Sequence, residues 1–272
     1  MVSHNIFSTL FVFPILNLLV AFYKVFLFIK VPGAFGLAII ALTLFIRLLF
    51  HPFFKQQIET SQKMQDLKPH LDKLSEKHKK DPKKLQQEQM RLYQEAGINP
   101  AAGCLFMLIQ LPIFYALYNT FSLFLMNSGS KVIQQINSVL YTPYLKISHI
   151  DPWFFGLNLA ESPSKAHLWY YYLVPVITGI LQYYSVGGTI PQSTTAPANK
   201  DDKKGGSDFQ SAMNMQMKFI FPFMIALFAY RLPVGLSLYW NIISIFTIIQ
   251  YRRINAKSKL QKQNAEIENR SK

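Results

Sequence analysis

The sequence predicts an all-α, polytopic helical membrane protein with five transmembrane helices, a cytoplasmic helical hairpin and an N-terminal interfacial helix. Three observations carry that prediction. Half of the 272 residues are hydrophobic, and they are gathered into long runs rather than spread at the spacing of a soluble core. Twenty-one of the 28 Lys and Arg residues fall in three segments that five crossings place on one side of a membrane. Arg47 stands alone in the run 34–54, AFGLAIIALTLFIRLLFHPFF, which holds no other residue charged at neutral pH.

The elements follow in chain order. Residues 1–33 carry an apolar stretch, 5–29, long enough to span, but Pro14, Asn17 and Lys24 interrupt it. Asn17 and Lys24 are seven apart on one helical face, which favours a helix lying on the outer surface over a spanning one. A spanning helix would leave residues 1–5 inside with no Lys or Arg to hold them, and a signal peptide would need a basic start and a small-residue cleavage site that are not present. Residues 34–54 form the first core transmembrane helix. In the hydrophilic segment 55–100, Met64, Leu67, Leu71 and Leu74 repeat at coiled-coil spacing, and Asp81-Pro82 breaks the helix. A second helix carries Leu85, Met90, Leu92 and Tyr93 and ends near Gly97, completing the hairpin. The second core helix is 101–124, the extracytoplasmic loop 125–167 and the third core helix 168–186. Segment 187–217 is a flexible cytoplasmic loop, with Gly, Pro, Ser, Thr and Lys crowded into 187–212. Residues 218–251 make the fourth and fifth core helices as a tight hairpin around Arg231-Leu232-Pro233, and 252–272 is a basic tail.

Charge orients these elements. Segments 55–96, 187–218 and 252–272 hold ten, four and seven basic residues, against six on the opposite side. The rich side is cytoplasmic, so the first core helix runs inward and the C-terminus lies inside. This one-sidedness also accounts for the net charge of +14 without a nucleic acid.

The residues exclude several chemistries. Cys104 is the single cysteine, so no disulfide forms within the chain and no Cys/His metal spacing exists. No phosphate loop, Ser/His/Asp set or intramembrane carboxylate pair is present, and neither an enzyme nor a cofactor is expected. What remains is Arg47. A guanidinium inside a span costs about 2.5–3.5 kcal/mol on insertion scales and cannot shed its proton. It must face other helices or water. Gln110 and Gln182 lie in apolar runs and can line the same cavity, and Tyr239, Trp240 and Asn241 offer an amphipathic wall. Blander roles stand beside these: Arg47 at a helix end, the glutamines bonding across helices, the aromatics in an interfacial belt. Two basic patches are candidates for partner docking. Lys79, Lys80, Lys83 and Lys84 lie at the hairpin tip, and Arg252, Arg253, Lys257, Lys259 and Lys262 in the tail. The tail can anchor on anionic membrane lipids or touch ribosomal RNA phosphates.

Several motifs resemble the YidC/Oxa family of membrane protein insertases. They are GLAIIALTLFIRLLFHPF at 36–53, the hairpin running into INPAAGCLFMLIQLPIFYALY by 118, DPWFFGLNL at 151–159 with YYLVPVITGILQYYS at 171–185, and FIFPFMIALFAYRLPVGLSLYWNIISIFTIIQ at 219–250. FVFPILNLL at 11–19 resembles the segment before the family's core, so the likeness covers about residues 10–253. It implies a non-enzymatic insertase and chaperone in the bacterial plasma membrane. Such a protein offers nascent membrane proteins a hydrated intramembrane groove, alone or with the Sec translocon, and meets the ribosome. It also tips Gln182 and Trp240 toward groove lining. The chain departs from the family in lacking a lipobox cysteine and the large periplasmic domain of some members, in its long 187–212 linker, and in placing Asn241 where the family more often has its asparagine at the position of Ser244. The main alternative, a small-solute transporter or channel, would show repeats or several buried charges.

Overall fold

A computed structural model describes residues 5–78, 81–98, 102–125, 130–189 and 216–270. Helix dominates them, and the strands among them are a two-residue pair, β1 (Trp153–Phe154) and β2 (Leu157–Asn158), joined antiparallel. The chain is an all-α polytopic membrane protein. Among the described residues, Ser8–Phe28 and Val234–Ser258 are each long and apolar enough to cross a membrane, and the bent pair Ala34–Leu49 and His51–Asp66 is a third candidate. The chain divides into two compact units. The first comprises Met1–His51, Met107–Gln182 and Phe223–Ser244, and the second Pro52–Phe106, Tyr183–Pro222 and Ile245–Lys272.

In the first unit, α1 (Phe13–Phe28) packs against α2 (Ala34–Leu49). Leu16, Leu19, Val20 and Tyr23 of α1 and Phe35, Ala38, Ile39 and Leu42 of α2 are buried at helical spacing. The interruption expected at Pro14 takes the form of a π-wound turn, Ser8–Val12, directly before it, with the proline in the first turn of α1 where its missing N–H costs nothing. Helix α2 is shorter than the expected 34–54. It closes at Leu49, Phe50 is its cap, and a new helix, α3 (His51–Asp66), opens next. Pro52 explains the break, because its ring would clash with the carbonyl four residues back and it has no N–H to donate. Arg47 therefore stands in the last turn of α2, not in the middle of a span.

Helix α6 (Ala102–Leu125) accommodates Pro112 within it and buries Ala116, Leu117, Phe121 and Phe124. Helix α8 (Leu173–Thr189) follows a short 3-10 turn at Trp169–Tyr172. The hairpin of α9 (Phe221–Arg231) and α10 (Val234–Arg270) turns at 232–233 as the proline there demands. Helix α10 continues unbroken through the segment read as a separate tail.

The expected loop 125–167 carries regular structure that its sequence does not announce. Helix α7 (Ser130–Ser138) and the β1–β2 hairpin lie within it, and its described residues are bonded at many points to the helices. Asn17 Nδ2 donates to Val139 O at 3.0 Å while its Oδ1 accepts from Tyr141 N at 2.7 Å. Lys24 Nζ donates to Tyr144 O, and Tyr23 Oη accepts from Asp151 N. On the other side, Val234 N donates to Glu161 O, Gly235 N to Leu159 O and Ser164 N to Tyr230 O, at 2.9–3.0 Å. The Phe154 ring lies against Gly33 and Gly36 at the start of α2, where any Cβ would collide with it.

In the second unit, α4 (Lys68–Lys77) pairs with α5 (Pro82–Glu95). Asp81 caps α5 by accepting from Lys84 N at 3.1 Å, as the Asp-Pro pair leads one to expect. Leu85 is buried, Leu71, Leu74, Leu92 and Tyr93 are half-buried, and Met90 points outward, contrary to its expected place in the apolar seam. The seam itself breaks at Leu67, between α3 and α4. Burial pushes the Tyr93 phenol above its ordinary pKa. Tyr251 Oη donates to Gln65 Oε1 at 3.4 Å, tying α10 to α3 within this unit.

Candidate functional site

The apolar face of α2 that packs against its neighbours ends at Thr43 and Arg47, one turn apart. Thr43 Oγ1 donates to Ile39 O at 2.6 Å, so its hydroxyl is satisfied within its own helix. Thr120 and Thr178 do the same to Ala116 O and Val174 O. These three threonines are buried and have their hydroxyl protons committed within their own helices.

Arg47 differs. Its side chain is 6 % exposed, enclosed by protein rather than laid open to lipid. Its place in the last turn of α2 sets the cation against the negative end of that helix, which offsets part of the cost of burial. Tyr239 of α10 lies close enough to interact electrostatically with the guanidinium.

Helix α10 brings the rest. Ser237, Asn241 and Ser244 recur at spacings of four and three along one face. Ser244 Oγ donates to Gln182 Oε1 of α8 at 2.9 Å. Ser237 Oγ and Asn241 Oδ1 are buried and have no hydrogen-bond partner among the described residues. Tyr239 and Trp240 are both buried, and both pack on α6: Trp240 stacks on Phe114 at 5.7 Å and Tyr239 meets Phe121 edge-on at 6.3 Å. They are a packed wall, less open than the sequence suggests. Of the sequence candidates, Arg47 and Tyr239 interact electrostatically, Gln182 accepts from Ser244 of α10, and Trp240 and Asn241 adjoin Tyr239 on α10. Gln110 lies in α6, but its side chain is outside the described residues. Ser237 and Ser244 were not singled out as site residues from sequence, although their spacing with Asn241 in an apolar run was the signal that could have found them.

The docking candidates lie in the second unit. Lys83, Lys84, Arg252, Arg253 and Lys257 are exposed. Lys79 and Lys80 and the side chains of Lys259 and Lys262 are outside the described residues. Among the described residues no group of three His, Cys, Asp or Glu could hold a metal ion.

Helices long enough to span, a buried cation, and buried polar side chains on α8 and α10 define a helical membrane protein with polar groups inside its helix packing. Comparison with known proteins specifies the class. A family profile described as 60Kd inner membrane protein matches residues 26–263. The membrane protein insertase YidC of Oceanobacillus iheyensis is 33% identical over 258 residues, 93% of this chain and 85% of the relative. YidC 2 of Bacillus anthracis is 33% identical over 91% of this chain and 80% of its own length. YidC of Caulobacter vibrioides is 32% identical over 91% of this chain but only 37% of its own length. The chain belongs to the YidC/Oxa family of bacterial membrane protein insertases. These matches give the solute-transporter reading no support.

Proposed function

We propose that this protein inserts nascent membrane proteins by giving their polar segments a hydrated, cation-bearing groove inside the bilayer, and that it does so without enzymatic chemistry. The barrier in such insertion is desolvation of backbone and charged groups. The observation that carries the reading is Arg47, a cation enclosed in the first unit beside Tyr239, with the unsatisfied oxygens of Ser237 and Asn241 on the neighbouring face of α10. Counting the helical rise from Ala34, Arg47 is about 20 Å along α2. With α2 running inward, the cation lies in the inner half of the membrane, within reach of a chain entering from the cytoplasm. An acidic residue in the entering segment exchanges its water for the guanidinium in a site of low dielectric, where the attraction is strong. The apolar remainder of the substrate then partitions sideways into lipid. Since Arg47, Tyr239 and Trp240 are enclosed, entry proceeds by parting of side chains around them.

On this reading α1 lies on the outer surface. Asn17, Tyr23 and Lys24 all bond to the backbone of 139–151. A spanning α1 would draw that segment far into the hydrocarbon, whereas a surface helix meets it along its length. The C-terminus is then cytoplasmic, and the exposed Lys83, Lys84, Arg252, Arg253 and Lys257, with the neighbouring lysines, serve ribosome, lipid and Sec contacts.

The test is a comparison of two substrates in cells depleted of their own insertase, one with acidic residues in its translocated tail and one with none. Arg47→Ala should impair the acidic substrate selectively. Equal insertion of both by the variant removes the electrostatic role.

A further inference from the structure

The outer face of the first unit holds a cluster of exposed aromatic side chains that the insertion reading does not use. Trp153 is 53 % exposed, Phe155 79 % and Trp169 73 %, with Tyr172 also open. Exposed aromatics scattered over a surface would mean little, but these are fastened into one piece. Tyr170 Oη donates to Gly156 O at 3.1 Å, and Tyr171 Oη accepts from Asn158 N at 2.8 Å, so the β1–β2 hairpin is bolted to the turn at Trp169–Tyr172 by two tyrosine hydroxyls. The hairpin is held from below as well, by the Phe154 ring on Gly33 and Gly36.

Phe155 is the telling residue. It occupies the hairpin tip with φ +46, a conformation a bulky side chain rarely adopts. The chain has a glycine next door at position 156, yet the aromatic ring is the group displayed. Such a conformation persists only where its surroundings over-determine it, as the two tyrosine bonds and the Phe154 contact do here.

We propose that Trp153, Phe155, Trp169 and Tyr172 form an anchor that sits at the headgroup level of the outer leaflet. The occupant of this surface is lipid for a reason visible along α8. Leu173, Val176, Ile177, Ile180 and Tyr184 are exposed on that helix at spacings of three and four, an apolar stripe suited to acyl chains. Tyr172 lies one turn before Val176 and continues the stripe, and Trp169 lies one turn before Leu173. The surface therefore passes without interruption from the acyl-chain region to the rings, where the chain leaves the membrane. Trp and Tyr concentrate at that depth because a flat apolar ring with a polar N–H or O–H suits the boundary. The anchor fixes the outer cap to the membrane and does not depend on Arg47 or on the groove.

The chain has three tryptophans, and Trp240 is buried, so fluorescence can isolate the other two. The full chain is placed in bilayers of phosphatidylcholine and phosphatidylglycerol carrying bromine either near the carboxyl end or near the methyl end of the acyl chains. Trp153→Phe, Trp169→Phe and the double variant give each contribution by difference. A Phe155→Trp reporter in the double variant reads the hairpin tip. Shallow bromines should quench all three positions roughly twofold more than deep ones, with acrylamide quenching weak. Strong acrylamide quenching with no bromolipid effect would place the rings in water and overturn the anchor. Protection from both quenchers would mean a protein covers them and overturns it equally.

Discussion

The cap formed by α1 and the segment 130–167 and the helix interior belong to the same unit, yet they treat polar groups in opposite ways. In the cap, Asn17 meets its obligations in full: it bonds to Phe13 O, Val139 O and Tyr141 N. Asn137 clips Ile147 through both its N–H and C=O in the same manner. The start of α10 hangs on the backbone of 159–161. In the interior, Ser244 of α10 donates to Gln182 of α8, and among the described residues the buried oxygens of Ser237 and Asn241 have no hydrogen-bond partner. A satisfied polar network rigidifies, and an unsatisfied buried one stores a demand for hydrogen bonds. One end of this unit is thus closed by hydrogen bonds, while its middle keeps polar oxygens without partners among the described residues, as the proposed groove requires.

The largest expected effect tests the receiving half. Arg47→Ala should lower insertion of a substrate with an acidic tail about 10- to 150-fold, the loss of one charge-assisted contact of about 1.5–3 kcal/mol, while the fold survives. Arg47→Lys keeps the charge and should retain much of the activity. Next come changes that pry at the cap. Asn17→Ala removes a buried clip and leaves Val139 O and Tyr141 N unbonded, costing about 2–3 kcal/mol, readable as an earlier thermal transition in detergent. Gly36→Ala forces the Phe154 ring aside and should cost about 1–3 kcal/mol in the same assay without altering the substrate preference set by Arg47. The smallest effect is the Gln182–Ser244 bond. A double-mutant cycle with Gln182→Ala and Ser244→Ala should give a coupling of about 0.6 kcal/mol, typical of hydrogen bonds between membrane helices.

How much of this was legible in the sequence follows from the range of each interaction. Local chemistry was readable. Asp81-Pro82 announces the hairpin turn, and Gly97, at φ +64, closes α5 as expected. Pro52 was visible too, and its consequence, a helix that ends at Leu49 with Arg47 in its last turn, could have been drawn from steric rules alone. Arg47, Gln182, Tyr239, Trp240 and Asn241 stood out because polar or amphipathic groups in an apolar run are conspicuous. The cap was not legible. Its order comes from backbone groups meeting across 120 residues and more, as when Asn17 reaches Tyr141. Composition says nothing about where a backbone N–H will find its acceptor. The enclosure of Tyr239 and Trp240 was likewise hidden, because it depends on Phe114 and Phe121 of another helix.

The central claim is that water and substrate reach Arg47 from the cytoplasmic side and not from outside. Thr43, one turn before Arg47 and buried beside it in sequence, is the place to ask. In a Cys104→Ala background, Thr43→Cys would be exposed to a charged, membrane-impermeant thiol reagent in inverted and in right-side-out vesicles during insertion. Labelling in inverted vesicles only is the predicted result. A thiol that stays unmodified in both, or reacts only from the outer side, contradicts the account.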